Sequence, residues 1–148
     1  MQLEYVSTAD RASIPLYWFC AAQTRATLLL QPALGIQARL YLQLAQGLAE
    51  RGYATAVLEQ RGHGLSSFSP GYSCNFSFRE TLDYDLPAAL NWIATEAPGV
   101  PRYLGGHSLG GNLSTIYAGM HPQDIDGVVH LACAFPYLAD YPPRQRRM

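Results

Sequence analysis

Seven residues, GGHSLGG at 105–111, hold four glycines around one serine. Glycine inside a helix or strand costs roughly 0.5–1 kcal/mol relative to alanine, so this density needs a backbone reason. The flanks supply one. VPRYLGGH reads as a strand that runs directly into Ser108, and LGGNLSTIYAGM reads as the helix that follows. G-x-S-x-G between a strand and a helix describes a sharp, strained turn that lifts a hydroxyl clear of a sheet. Gly106 and Gly110 leave room where side chains would collide as strand and helix close on each other. Ser108 then sits at a helix N-terminus. The backbone N–H of Leu109 points to where negative charge would develop on a tetrahedral intermediate. Ser108 is therefore a candidate nucleophile. One alternative is a serine N-cap between incidental glycines. A phosphate-binding loop would need G-x-x-x-x-G-K-[ST], and the chain contains no lysine.

The order of elements around this turn fits an α/β fold. LEYVS and IPLYWFCA read as two starting strands, with DRAS as the turn between them. Pro15 suggests an edge position for the second. RATLLLQ and YATAVLE are short apolar runs with the profile of strands buried on both faces. Between them, Leu40, Leu44 and Leu48 recur every four residues beside Tyr41 and Ala45. That predicts a helix over 38–51 with these leucines on its apolar face and Gly52 just past its end. QRGHGLSSFSPGYSCNFSF reads as a long polar loop. A second helix resumes around Leu82, with Leu86, Leu90 and Ile93 on one face, Pro87 in its first turn and Pro98-Gly99 at its end. IDGVVHLAC gives a last strand. The expected architecture is a mostly parallel, doubly wound sheet flanked by helices. The loop QPALG, after a central strand, is where a second oxyanion N–H is expected. Ala33 is the candidate because its side chain is small, with Leu34 the alternative.

Composition narrows the chemistry. Ten basic and 11 acidic residues give a net charge of −1, which provides no field for nucleic acid. Three scattered cysteines form neither a disulfide framework nor a metal-ligand spacing. No run approaches the ~18 apolar residues of a membrane span, and no signal peptide is visible. A cytoplasmic setting is expected, with no metal and no organic cofactor.

Taken together, LLLQPALG, LAQGLAERGYATAVLEQRGHGLS, DLPAALNWI and GGHSLGGNLS resemble the α/β-hydrolase fold, in its serine-aminopeptidase-like and lysophospholipase-like esterase branch. The matching stretches cover roughly residues 24 to 133. The resemblance implies an eight-stranded sheet, Ser108 as nucleophile, and oxyanion donors at Leu109 and Ala33. It also implies hydrolysis of a small-molecule ester or amide through an acyl-serine, without a cofactor. The chain departs from the family pattern at Gln31 and Pro32, where a His-Gly pair is usual. It departs again at Glu59, where Asp is usual and serves to organise loops. A serine at 108, where an aspartate would be usual for dehalogenation, points to acyl transfer.

The largest departure concerns the base and the acid, which the family carries after its later strands. By this count the chain ends just after the sixth strand. It then forms a single partial domain over 1–148, with 134–148 as a remnant of the lid region and a basic tail. Of the four histidines, His121 lies ~20 Å along a helix from Ser108 and is expected to cap that helix. His130 sits within the last strand, His107 supports the turn, and His63 stands at the correct end of the sheet. None has the position of the base. Asp140 is the candidate acid, since some relatives of the fold carry theirs after the sixth strand. The sixth strand would be an open edge, covered by a second copy or another chain. Two functions follow: a serine hydrolase scaffold poorly active or inactive alone, or a non-catalytic binding or assembly module on the same scaffold.

Overall fold

The computed structural model describes residues 1–69, 71, 72, 74–135 and 142. Six strands form one sheet in the order β1-β2-β4-β3-β5-β6. They are β1 (Gln2–Ser7), β2 (Ser13–Phe19), β3 (Ala26–Gln31), β4 (Tyr53–Leu58), β5 (Arg102–His107) and β6 (Gly127–Leu131). β1 and β2 form an antiparallel pair, β2 runs antiparallel to β4, and the rest of the sheet is parallel.

Alternation along the strands sends side chains to two cores. Ile14, Leu16, Trp18, Leu29 and Leu104 pack against Leu86, Leu90, Ile93 and Tyr117 on one face. Tyr17, Phe19, Leu28, Leu30 and Val57 pack against Ala38, Tyr41, Ala45 and Ala49 on the other. Every residue of β3 is buried, as expected of a central parallel strand covered on both sides. Helices α3 (Leu86–Glu96) and α4 (Leu109–Met120) cover the first face, and α1 (Leu42–Ala49), entered through a 3-10 turn at Ala38–Tyr41, covers the second.

Three local expectations are corrected. Pro15 is not on an edge, because β2 lies between β1 and β4. Its carbonyl accepts the Glu59 N–H at 2.9 Å. The return bond, which proline lacks, falls just beyond the β2–β4 ladder, whose register ends at Leu16↔Leu58. The buried stripe of α1 is Ala38, Tyr41, Ala45 and Ala49, whereas Leu40 is 68% and Leu44 43% exposed. Small residues let α1 lie close on the sheet. Leu44 and Leu48 face sideways into an apolar groove shared with Leu28, Tyr53, Val129 and Leu131. The helical run near Pro87 also begins earlier than expected, at α2 (Phe78–Glu80). Ser77 and Glu80 cap it reciprocally. It continues through a π-helical turn at Thr81–Asp85 into α3. The Leu86 N–H closes that turn on Thr81 O, and Pro87, which has no N–H, follows directly in the first turn of α3.

The long loop after β4 is anchored by Arg61, whose side chain is 3% exposed. Its guanidinium contacts Asp10 at 2.7 Å and Asp85 at 2.6 Å, and it lies over the Phe68 ring. The hydrogen bond from Arg61 draws Asp10 down from 3.8 to about 2. A carboxylate with a folded value below its unfolded one stabilises the fold above the unfolded value and loses that contribution as pH falls through the folded value. Stability is therefore expected to drop between about pH 4 and pH 2. In Asp10→Asn that part of the acid dependence disappears, as measured by urea unfolding at stepped pH.

Candidate active site

The site is built where β3, β5 and β6 end together. Ser108 connects β5 to α4 with φ 51° and ψ −117°. This lies outside the regions open to ordinary L-residues, and its cost of order 1–3 kcal/mol is one the surroundings must impose. They do so on every side. The Ser108 N–H donates to Leu131 O at 3.0 Å, and its carbonyl accepts from Gly111 and Asn112. A methyl group on Gly106 would lie 2.6 Å from Gly111 N and 2.8 Å from Gln31 O. One on Gly110 would lie 2.6 Å from Pro32 O. The two expected shaping glycines are thus the positions where three backbones touch.

At the first position of α4, the Leu109 N–H has no intrahelical acceptor, so it is available beside Ser108 at the positive end of the helix. The loop after β3 lies against this turn and is tied to both sides of it. Gln31, fully buried, donates through Nε2 to Gly110 O at 3.1 Å and Ser114 Oγ at 2.9 Å. Its Oε1 has no partner among the described residues. Gln60 Nε2 holds Pro32 O at 3.0 Å. On the other side the Ala33 N–H donates to the Tyr41 hydroxyl at 3.0 Å, and that hydroxyl meets His107 Nδ1 at 2.8 Å. Ala33, expected as the second oxyanion donor, therefore sits in the loop after β3 with its N–H engaged by Tyr41. Neither Gln31 nor Tyr41 was read from the sequence as part of the site. Gln31 stood out only as a departure, and Tyr41 only as part of a helix face.

Glu59 accepts the Ala38 N–H at 3.0 Å and so organises the loop, as its position suggested. A cavity of about 320 Å³ opens beside the loop after β3, lined by Leu34, His63, Phe76, Phe78 and Leu113 among others. It is predominantly apolar.

All four histidines are occupied elsewhere. His63 Nδ1 bonds Arg61 O at 3.0 Å. His107 bonds Tyr41. His121 is the C-cap of α4 and packs on Tyr117. His130 is exposed, and its Nε2 bonds Thr115 Oγ1 at 2.7 Å. Ser108 Oγ has no hydrogen-bond partner among the described residues. Asp140 and the basic tail lie outside the described residues. Among the described residues no three His, Cys, Asp or Glu side chains come together to hold a metal ion. No helix there is long and apolar enough to cross a membrane.

Residues 22–148 match the model of the family described as serine aminopeptidase, S33. The chain is 30% identical over 111 residues to a monoglyceride lipase of Saccharomyces cerevisiae, covering 72% of this chain and 35% of that protein. It is 27% identical over 113 residues to the monoglyceride lipase of Rattus norvegicus, covering 76% and 36%. Among solved structures, a carboxyl esterase from Bacillus coagulans superposes with a TM-score of 0.78 at 17% identity, covering 93% of this chain and 46% of that one. A soluble variant of the S. cerevisiae lipase does so at 0.71 and 24%, covering 91% and 45%. The chain thus spans just over a third of the length of these curated relatives and a little under half of these structures.

Proposed function

The chain belongs to the serine aminopeptidase S33 family of the α/β-hydrolase fold, and from this we propose that it is the nucleophile-bearing part of a serine hydrolase acting on carboxylic esters. The observation that carries the reading is the backbone of Ser108. A strained φ of 51° at a non-glycine residue, enforced by glycines on both sides, has a use when a hydroxyl must project from a strand-to-helix turn. In this reading Ser108 Oγ attacks the ester carbonyl and forms an acyl-serine. Leu109 N–H takes the oxyanion, and a second N–H comes from the loop at Ala33. The apolar cavity that Leu34 of this loop and Leu113 of α4 help to line suits the hydrocarbon part of an ester, in keeping with relatives described as monoglyceride lipases.

A serine hydroxyl needs a base, and none of the four histidines reaches Ser108. In this reading the base is supplied from outside this chain, Asp140 remains the candidate acid, and the chain alone is poorly active or inactive. The place for that contribution is the side where β6, among the described residues, pairs only with β5 and the Leu44–Val129 groove lies open. A continuation of the fold, a second copy or another chain would cover it. The absence of an imidazole at Ser108 also favours the second reading, a non-catalytic module on this scaffold.

Fluorophosphonate labelling separates the two. The isolated folded chain should label no faster than Ser108→Ala. A chimera that continues it with the uncovered part of the S. cerevisiae lipase should gain Ser108-dependent labelling and esterase turnover. A chimera that is folded by near-UV circular dichroism yet remains unlabelled would favour the non-catalytic reading. Rapid Ser108-dependent labelling of the isolated chain would require a base within it.

A further inference from the structure

We propose that Tyr41 is a positioning residue that latches the second oxyanion donor, an inference that rests on Ser108 being the nucleophile. The loop after β3 presents the Ala33 N–H to the turn, yet that N–H points at a phenol oxygen 3.0 Å away. The phenol belongs to the residue at the start of α1, and it is held by the side chain immediately before the nucleophile. Ala33 and Tyr41 are both buried, so water does not supply these bonds.

Counting protons fixes their direction. The Tyr41 oxygen receives the Ala33 N–H. Its own proton has one acceptor within reach among the described residues, His107 Nδ1 at 2.8 Å. Were Nδ1 itself protonated, the phenol proton would be left buried without a partner. The accounting therefore assigns His107 the Nε2–H tautomer. The chain of bonds runs from Ala33 N–H to Tyr41 O, and from Tyr41 O–H to His107 Nδ1.

The arrangement solves a problem of an empty site. An oxyanion donor in a buried loop is an orphan whenever no oxyanion is present, and an orphaned buried N–H costs about 1–3 kcal/mol. Tyr41 satisfies it with a neutral hydrogen bond. A developing oxyanion offers a charge-assisted bond, roughly twice as strong, and so can draw the N–H away. Ala33 O accepts the Ile36 N–H at 3.1 Å across a turn with Gly35 at φ 75°, and Gln60 holds the preceding carbonyl. Because the Pro32–Ala33 peptide is planar, its N–H moves only with the Pro32 carbonyl that Gln60 binds, so the exchange needs a tilt of this one peptide or a withdrawal of the Tyr41 hydroxyl rather than movement of the whole loop. The cost is that part of the oxyanion's interaction goes into breaking the latch.

Tyr41→Phe keeps the ring against the sheet and removes the oxygen. In nitrogen-15 NMR the wild type should show His107 as the Nε2–H tautomer with Nδ1 hydrogen-bonded. The variant should lose that Nδ1 signature, and its Ala33 amide should move upfield and exchange faster with solvent. In the chimera with the S. cerevisiae lipase, where a base is supplied, phenylboronic acid, whose tetrahedral adduct at Ser108 stands in for the oxyanion, should bind the variant about 2- to 12-fold tighter. That range is one neutral hydrogen bond of about 0.5–1.5 kcal/mol at 1.4 kcal/mol per decade. Unchanged Ala33 and His107 signals would overturn the latch. So would altered signals with equal or weaker boronate binding, which would mean that Ala33 does not serve the oxyanion. Boronate binding that is absent, or indifferent to Ser108→Ala, would instead defeat the nucleophile reading, while the two NMR signals still decide whether the bond to Tyr41 exists.

Discussion

Gly110→Val is expected to destabilise the chain by about 3 kcal/mol or more, the upper end of overpacking penalties. Its side chain would enter space held by Pro32 O at 2.6 Å and Gln31 C at 2.8 Å. Neither can retreat. Gln31 is paired with Gly106 across the β3–β5 ladder, and Pro32 O is bound by Gln60. Gly110→Ala meets the same backbone with its Cβ alone, and the ~1 kcal/mol that alanine gains over glycine in a helix offsets only part of the loss. The same helix holds its own control. Gly119 has nothing within 4 Å of an added Cβ, so Gly119→Ala should stabilise by about 0.5–1 kcal/mol. Urea midpoints of the three variants check the contrast. Equal effects at both ends of α4 would mean that the β3 loop does not rest on the turn as described.

Arg61→Met is expected to cost about 3–5 kcal/mol, the range for breaking a buried ion pair from one side. Two carboxylates converge on this guanidinium. Asp85 is met through Nε as well as Nη2, and its side chain is only 2% exposed. Burial works against the charge on Arg61, and the bonds from Asp85 and Asp10 outweigh it and hold the guanidinium above its ordinary value. Burial likewise pushes Asp85 up, against the pull of Arg61. Removing the cation leaves Asp85 desolvated and facing Asp10. Adding Asp85→Leu and Asp10→Asn to Arg61→Met should therefore recover most of the loss, since an apolar replacement of a whole buried cluster is often neutral. Arg79–Asp83, with Arg79 83% exposed, is a solvent-screened surface pair. Its loss should scarcely move the midpoint.

The elbow was legible because its glycines make no sense in ordinary elements, and the reason is local: strand, turn and helix lie within a few residues of Ser108. β3 and β4 were legible for the same reason, through continuous apolar runs. The face of α1 was not. Leu40, Leu44 and Leu48 have the correct spacing, but Ala45 and Ala49 decide how near the helix can come to the sheet. Proximity is a property of the partner surface. Pro15 misled because its missing N–H matters only relative to where the β2–β4 ladder stops. Tyr41 was hidden furthest, since its partner His107 is 66 positions away and no spacing rule connects them. That no histidine bonds Ser108 among the described residues, in contrast, was expected from the order of the four histidines along the chain.

The strand order has a consequence for how this chain comes to possess its site at all. β5 docks beside β3 only after α1, β4 and the long loop have been synthesised, and the Gln31–Gly110 bond closes across 79 positions. Parallel pairings over such separations form slowly, because the entropy of closing the loop is lost before contacts repay it. The antiparallel β1–β2 pair and the α1–β4 contact are local by comparison. The turn at Ser108 exists only once β3, β5 and β6 are side by side. The strained geometry of Ser108 is therefore acquired late in folding, and a time-resolved exchange experiment should find the amides of Ser108 and Gly111 protected after those of β1 and β2.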